Sequence, residues 1–227
     1  MRCDLPPVPF AYCPPPDGPT LLHADAELIA VDKPSGLLSV PGRGAEHQDS
    51  ALLRLQAQWG PLWVVHRLDM DTSGVIVYAR TREAAAALGR SFERRQAGKV
   101  YRAWVWGRPD PAEGLIDLPL RLDWPHRPRQ IVDAAAGKPS ATRYRVLGAA
   151  PGPAADPPCS LLELEPLTGR SHQLRVHLAA IGCPIVGDRF YGTAQDTATR
   201  LMLHAQRLTL PHPRDGQPWA VESPAPF

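Results

Sequence analysis

Residues 66–80 read HRLDMDTSGVIVYAR: an arginine, a leucine and an aspartate stand directly before a Thr-Ser-Gly turn and an apolar run from Val75 to Ala79. A short continuous apolar run bounded by turn residues reads as a buried strand. The chain therefore places Arg67 and Asp69, opposite charges two residues apart, at the mouth of a sheet.

Upstream, LIAVDKPSGLLSVPG (residues 28–42) reads as a strand, a Lys-Pro-Ser-Gly turn and a second short strand. SALLRLQAQWG (50–60) spaces Leu52, Leu55 and Trp59 along one helix face, with Ser50 as cap and Gly60 as stop. Downstream, Thr81 caps a helix running to about Gln96, with Ala84, Leu88 and Phe92 on one face and Gly98 as its stop. KVYRAWVWG (99–107), ATRYRVL (141–147), SLLELEPLTG (160–169) and LMLHAQRLTL (201–210) are strand-like by composition. In SHQLRVHLAAIG (171–182), Leu174, Leu178 and Ile181 have helical spacing, with Ser171 as cap and Gly182 as end. Such a helix would display His172 and Arg175 together on its first turn. Strands outnumber helices without alternating with them, which argues for an α+β fold with a mainly antiparallel central sheet and flanking helices.

At 227 residues, with 44% hydrophobic and 21% charged residues, the chain can bury one substantial core, and wholesale disorder is excluded. Many of the 27 prolines gather near the ends and in loops, and residues 1–19 read as an extended proline-rich arm that packs through Phe10 and Tyr12. The net charge of +2 conceals a basic band: residues 80–108 carry seven arginines and one lysine against two acids. That band fits a grip on a phosphate backbone and equally a solvated helix face. Four cysteines without CxxC spacing fit free thiols in a reducing cytoplasm, and no uncharged apolar run is long enough to span a bilayer. The expectation is a cytoplasmic protein with no membrane contact.

Several chemistries find no support. His172, His177 and Cys183 lack the geometry of a zinc site, no Gly-x-Gly-x-x-Gly follows a strand, and there is no Walker-type Gly-Lys-Ser/Thr. Ser73 does not sit in a Gly-x-Ser-x-Gly elbow. Asp69 and Asp71 are close together, but a glycosidase pair is a poorer description than one acid with basic neighbours. No metal or cofactor is expected. Asp69 beside Arg67, with Arg175 offered from the later helix, would stay ionised and could act as nucleophile or base. On spacing alone a structural ion pair is the commoner meaning of such a cluster. Tyr101 fits a stacking platform for a nucleobase, and fits a core tyrosine at a strand start at least as well.

Taken together, HRLDMDTSG, KPSGLLSVPG, KVYRAWVWG and LTGRSHQLRVHLAAIGCPIVGDRFYG, in this order, resemble the motifs of the RluA family of pseudouridine synthases, from about residue 20 onward. LPLRLDWPHRPRQ and LMLHA are similar to its dual-specificity subgroup, which acts on tRNA and 23S rRNA. The resemblance implies a catalytic domain over residues 20–227, without the S4-like domain of many relatives, for which the 1–19 arm is too short. It implies Asp69 as the catalytic aspartate, Tyr101 stacking on a flipped uracil, and Arg175 pairing with Asp69. Arg67 would fill the space the base leaves, Leu203 would support the pocket from below, and His66, Arg170 and His172 would contact the substrate. The implied partners are a tRNA anticodon stem-loop (uridine 32) and a 23S rRNA stem-loop (uridine 746), bound by a monomer. The alternatives are a family member acting on another uridine, or a non-catalytic RNA-binding assembly factor. Asp71, an acid near RNA phosphates, and the proline-rich 148–158 segment depart from the expected pattern.

Overall fold

Gly74 marks the place around which the sheet is organised. In the computed structural model, which describes residues 11–150, 158–193 and 196–227, Gly74 has φ +111°, and a Cβ there would collide with the backbone of Ala205. This close approach lets the strand Ser73–Ala79 lie parallel to the strand Leu203–Pro211 through Ser73–His204 and Gly74–Ala205. All the other named ladders among the described residues are antiparallel.

In chain order the elements are β1 (Thr20–Ala24), β2 (Leu28–Lys33), α1 (Ala51–Trp59), β3 (Trp63–Val64), β4 (Ser73–Ala79), α2 (Arg82–Glu93) and β5 (Gly98–Trp106). Then come β6 (Glu113–Asp117), β7 (Leu120–Leu122), β8 (Gln130–Val132), β9 (Ala141–Ala150), β10 (Cys159–Pro166), α3 (Gln173–Ala180), β11 (Leu203–Pro211) and β12 (Pro218–Glu222). The main sheet runs β1-β2-β4-β11-β5-β10-β9-β6, with β12 on β11 and β3 on β4, while β7 and β8 form a separate two-stranded sheet. With three α-helices among the described residues beside these strands, the α+β reading holds.

Every residue of β4 is buried because both faces of this part of the sheet are covered. Ile29, Val31, Ile76 and Tyr78 pack with Ala51 and Leu55 of α1. Leu28, Ala30, Val75 and Val77 pack on the opposite side with Ala84 and Leu88 of α2. A third core joins Ala103, Leu162, Leu164 and Leu203 to Leu174 and Leu178 of α3.

Local signals acted largely as expected. The Ser50 side chain accepts the Leu53 amide, and Gly60, at φ +76°, ends α1. Thr81 caps α2 through the Ala84 amide, but that helix ends at Glu93, earlier than the expected Gln96, because Arg95 turns left-handed (φ +57°). Ser171 does not cap α3: the cap position is His172, itself left-handed at φ +52° and without a side-chain cap bond. The Gln173 side chain holds this turn instead, accepting from Thr168 Oγ1 and the Arg170 amide and donating to Ala141 O and Thr142 Oγ1.

The second strand expected after Lys-Pro-Ser-Gly does not form. Residues 34–42 carry no strand and are held by bonds such as Ser35 Oγ to Asp71 O, Ser39 Oγ to Leu68 O and the Gly36 amide to Met70 O. Strand β12 carried no separate sequence signal. In the arm, the Tyr12 hydroxyl donates to Asp49 O and accepts from the Leu38 amide, so its packing is real; Phe10 lies outside the described residues. Cys13, Cys159 and Cys183 are free thiols. No helix among the described residues is long and apolar enough to cross a membrane.

Candidate active site

The loop between β3 and β4 carries His66 to Thr72, and its path is set by a short-range lattice of bonds to the Lys-Pro-Ser-Gly turn. Lys33, fully buried, donates from Nζ to the carbonyls of Pro34, Leu37 and Met70 at 2.8–3.0 Å. Burial pulls this lysine down to about 7, against the opposing pull of Asp71, Asp69 and Asp32. Ser39 Oγ donates to Leu68 O and accepts the Leu68 amide, Ser35 Oγ donates to Asp71 O, and the Gly36 amide donates to Met70 O. Leu68 is thereby pinned into the core, and its neighbours Arg67 and Asp69 are left facing a cleft.

That cleft, of about 1310 Å³, is lined by all eight residues singled out in the sequence: His66, Arg67, Asp69, Tyr101, Arg170, His172, Arg175 and Leu203. Their situations differ. The Asp69 side chain is 29% exposed and lies 3.6 Å (Oδ2) from Arg175 Nη1. Tyr101, in β5, packs against both the α1-side and α3-side cores. Burial raises its phenol well above the ordinary range, and the charge of Asp69 raises it further. Its hydroxyl has no protein hydrogen-bond partner among the described residues. Leu203, 2% exposed, sits in the core against which Tyr101 packs. Arg67 is exposed and makes no ion pair among the described residues.

Arg175 departs from expectation. It is 2% exposed, so it is not displayed on the helix surface. Its principal partner is Asp188, to which Nε and Nη2 donate at 2.7 Å each. The rings of Phe190 and Tyr191 lie 5.3 and 5.4 Å from its guanidinium carbon. Burial opposes the arginine's charge, but Asp188, Asp69 and Asp71 together outweigh it and raise its pKa. Asp188 also accepts the Phe190 and Tyr191 amides, so one buried carboxylate orders the whole Asp188–Tyr191 turn. The sequence reading missed both Asp188 and Lys33, although each lies within a quoted motif. The available signal was an ionisable residue inside an otherwise apolar or turn-forming run.

His66 and His172 are committed within the fold. His66 Nε2 accepts the Val77 amide and its ring stacks on Phe92; burial, with Lys99, pulls it down to about 3. His172 Nδ1 bonds the Tyr191 hydroxyl at 2.8 Å, its ring stacks on Phe190, and burial lowers its pKa. Arg170 is exposed, with Nε donating to Pro139 O.

The basic band divides. Arg95 and Lys99 line the cleft, with Arg207 from β11, while Arg80 bonds Asp25 O and Arg102 pairs with Glu163. Both non-glycine residues with positive φ among the described residues, Arg95 and His172, line this cleft. Backbone strain of that kind gathers at functional sites. Chemically, the arrangement offers one carboxylate beside a rigidly held cation, a flat ring next to it, and a basic margin suited to a polyanion. Among the described residues no cluster suited to a metal ion occurs.

The chain has recognisable relatives among known proteins. A family model described as RNA pseudouridylate synthase matches residues 27–180. The dual-specificity RNA pseudouridine synthase RluA of Escherichia coli (strain K12) is 51% identical over 217 residues, 94% of this chain and 97% of its own length. The protein of the same name from Yersinia pestis is 48% identical over 91% and 99%. Among solved structures, human RNA pseudouridylate synthase domain containing 1 matches with a TM-score of 0.77 at 30% identity, over 92% of this chain and 84% of that one.

Proposed function

Because the chain belongs to the RNA pseudouridylate synthase family and is therefore an isomerase of uridine in RNA, we propose that it modifies uridine 32 in the anticodon loop of certain tRNAs and uridine 746 in a loop of 23S rRNA. The dual-specificity name of relatives about half identical over nearly their whole length supports this choice of substrates. Residues 20–227 form the catalytic domain, acting as a monomer in the cytoplasm, where both RNAs are available.

The observation that carries the assignment of roles is Asp69, partly exposed on the cleft wall, 3.6 Å from a buried arginine whose other side is locked to Asp188. In the reaction the bond from ribose to N1 of uracil breaks, the base turns, and a bond to carbon 5 forms. The proton of carbon 5 goes to solvent and N1 ends protonated, so there is no net redox change. Asp69 is the catalytic carboxylate and Arg175, 3.6 Å away, holds it aimed into the cleft. Tyr101 stacks on the extruded uracil, above Leu203. Arg67, exposed and two residues from Asp69, fills the vacancy in the RNA stack; extrusion costs a few kcal/mol, which stacking and filling offset. Arg170 contacts the backbone, while His66 and His172 hold the cleft walls in place.

Tritium release from an anticodon stem-loop labelled at carbon 5 of uridine 32 tests this. Release by the unsubstituted protein and none by Asp69→Asn is the expected result. RNA binding without release from either stem-loop would overturn the choice of substrates.

A further inference from the structure

The hairpin of β7 and β8 stands apart from the main sheet, its strands pairing, among the described residues, only with each other and, through Leu120, with Lys138. An isolated two-stranded ribbon is marginal in water, so this one needs anchors. They lie at both ends: at the open end Leu120 is 2% exposed, and at the turn end the Gln130 amide donates to the Tyr191 hydroxyl at 2.7 Å and Arg129 lies over the Tyr191 ring. Tyr191 is the residue that bonds His172, and Pro128 lines the cleft, so the turn of the hairpin lies against the cleft wall.

The other side of that turn is exposed. Trp124 is 64% exposed, more than any other large hydrophobic residue among the described residues, and the Arg127 guanidinium lies 5.0 Å from its ring centroid. Residues 120–132 hold three arginines and one histidine against a single aspartate. In the same turn, Arg129 Nε is the one buried side-chain nitrogen or oxygen without a hydrogen-bond partner among the described residues. An exposed indole held under a guanidinium, on a basic ribbon, matches an unstacked base with its flanking phosphate.

We propose that this hairpin is a second grip on the RNA, in which Trp124 stacks on a base outside the cleft and Arg127 meets the neighbouring phosphate. The inference rests on the reading of the cleft as an RNA site and deepens it. The hairpin selects RNAs whose loop presents a second unpaired base within its reach.

The test measures affinity of the full chain for the anticodon stem-loop with Trp124→Ala, Trp124→Phe and Arg127→Ala. Stacking on one base corresponds to a loss of about 5- to 150-fold on Trp124→Ala, with Trp124→Phe recovering most of it. The rate at saturating RNA should fall by much less than the affinity. Arg127→Ala should flatten the slope of log affinity against log salt by about 0.7 to 0.9. Melting temperatures matching the parent exclude misfolding as the cause. Parent-like affinity in Trp124→Ala, with tritium release intact, overturns the hairpin inference and leaves the proposed function standing. Absence of release by the unsubstituted protein scores against the proposed substrates, while the affinity ratio still decides the hairpin; failure of the unsubstituted protein to bind either stem-loop overturns both.

Discussion

Replacing Asp188 by asparagine probes the support of the reacting carboxylate without touching it. Asparagine keeps an oxygen for the Phe190 and Tyr191 amides, but its NH2 group then opposes an Arg175 donor, and the buried guanidinium loses its neutralising partner. Removing one member of a buried ion pair costs about 3–5 kcal/mol. For a chain of this length each kcal/mol lowers Tm by about 2–4 °C, so a fall of about 6–20 °C is expected. Arg175 also becomes free to move relative to Asp69, and a shift of about 1 Å at such a centre can reduce turnover about 100-fold. Circular-dichroism melting and single-turnover tritium release measure the two effects. The double variant Arg175→Met with Asp188→Leu should regain part of the lost stability, since apolar pairs replace buried ion pairs well, and none of the turnover. Recovery is limited by the two amides that Asp188 also accepts. A melt within about 2 °C of the parent, together with full turnover in Asp188→Asn, would show that Asp69 and the two rings suffice to hold Arg175.

Arg67→Ala should change stability by no more than about 0.5 kcal/mol, because the side chain is exposed and makes no ion pair among the described residues, and should lower single-turnover rate more than RNA affinity. Lost binding with an undiminished rate would contradict its role. His66 is held near 3 in the fold against about 6.5 unfolded, so the unfolded chain binds the extra proton between those values. Its contribution is therefore constant above about pH 6.5 and is lost, at up to about 1.4 kcal/mol per pH unit, as pH falls toward 3. Denaturant midpoints against pH should show a shallower acid loss in His66→Asn, and an unchanged slope would sink the assignment. Arg95→Gly relieves a left-handed backbone and should raise stability by up to about 1 kcal/mol while weakening RNA binding. A lower Tm would mean that the arginine side chain, rather than its φ, controls that turn.

Much of the molecule was legible without coordinates. The caps Ser50 and Thr81, the stop at Gly60 and the buried run after Gly74 are recorded in residue type and period, because turn chemistry and the burial of one helix face act over a few residues. The eight site residues were singled out through the family resemblance that their contiguous motifs carry, and all eight line one cleft. What tertiary structure alone decided is which groups answer each other across the chain. Lys33 ties its own turn to Met70 O, thirty-seven residues later. Arg175 goes to Asp188 before Asp69. The segment after Gly36 forgoes a strand because Ser39 bonds Leu68 on both sides. No local pattern encodes these choices, since a buried charge must find its counter-charge and hydrogen bonds wherever the packed sheet and helices bring them, and the cost of leaving it unpaired is felt only once the core has closed.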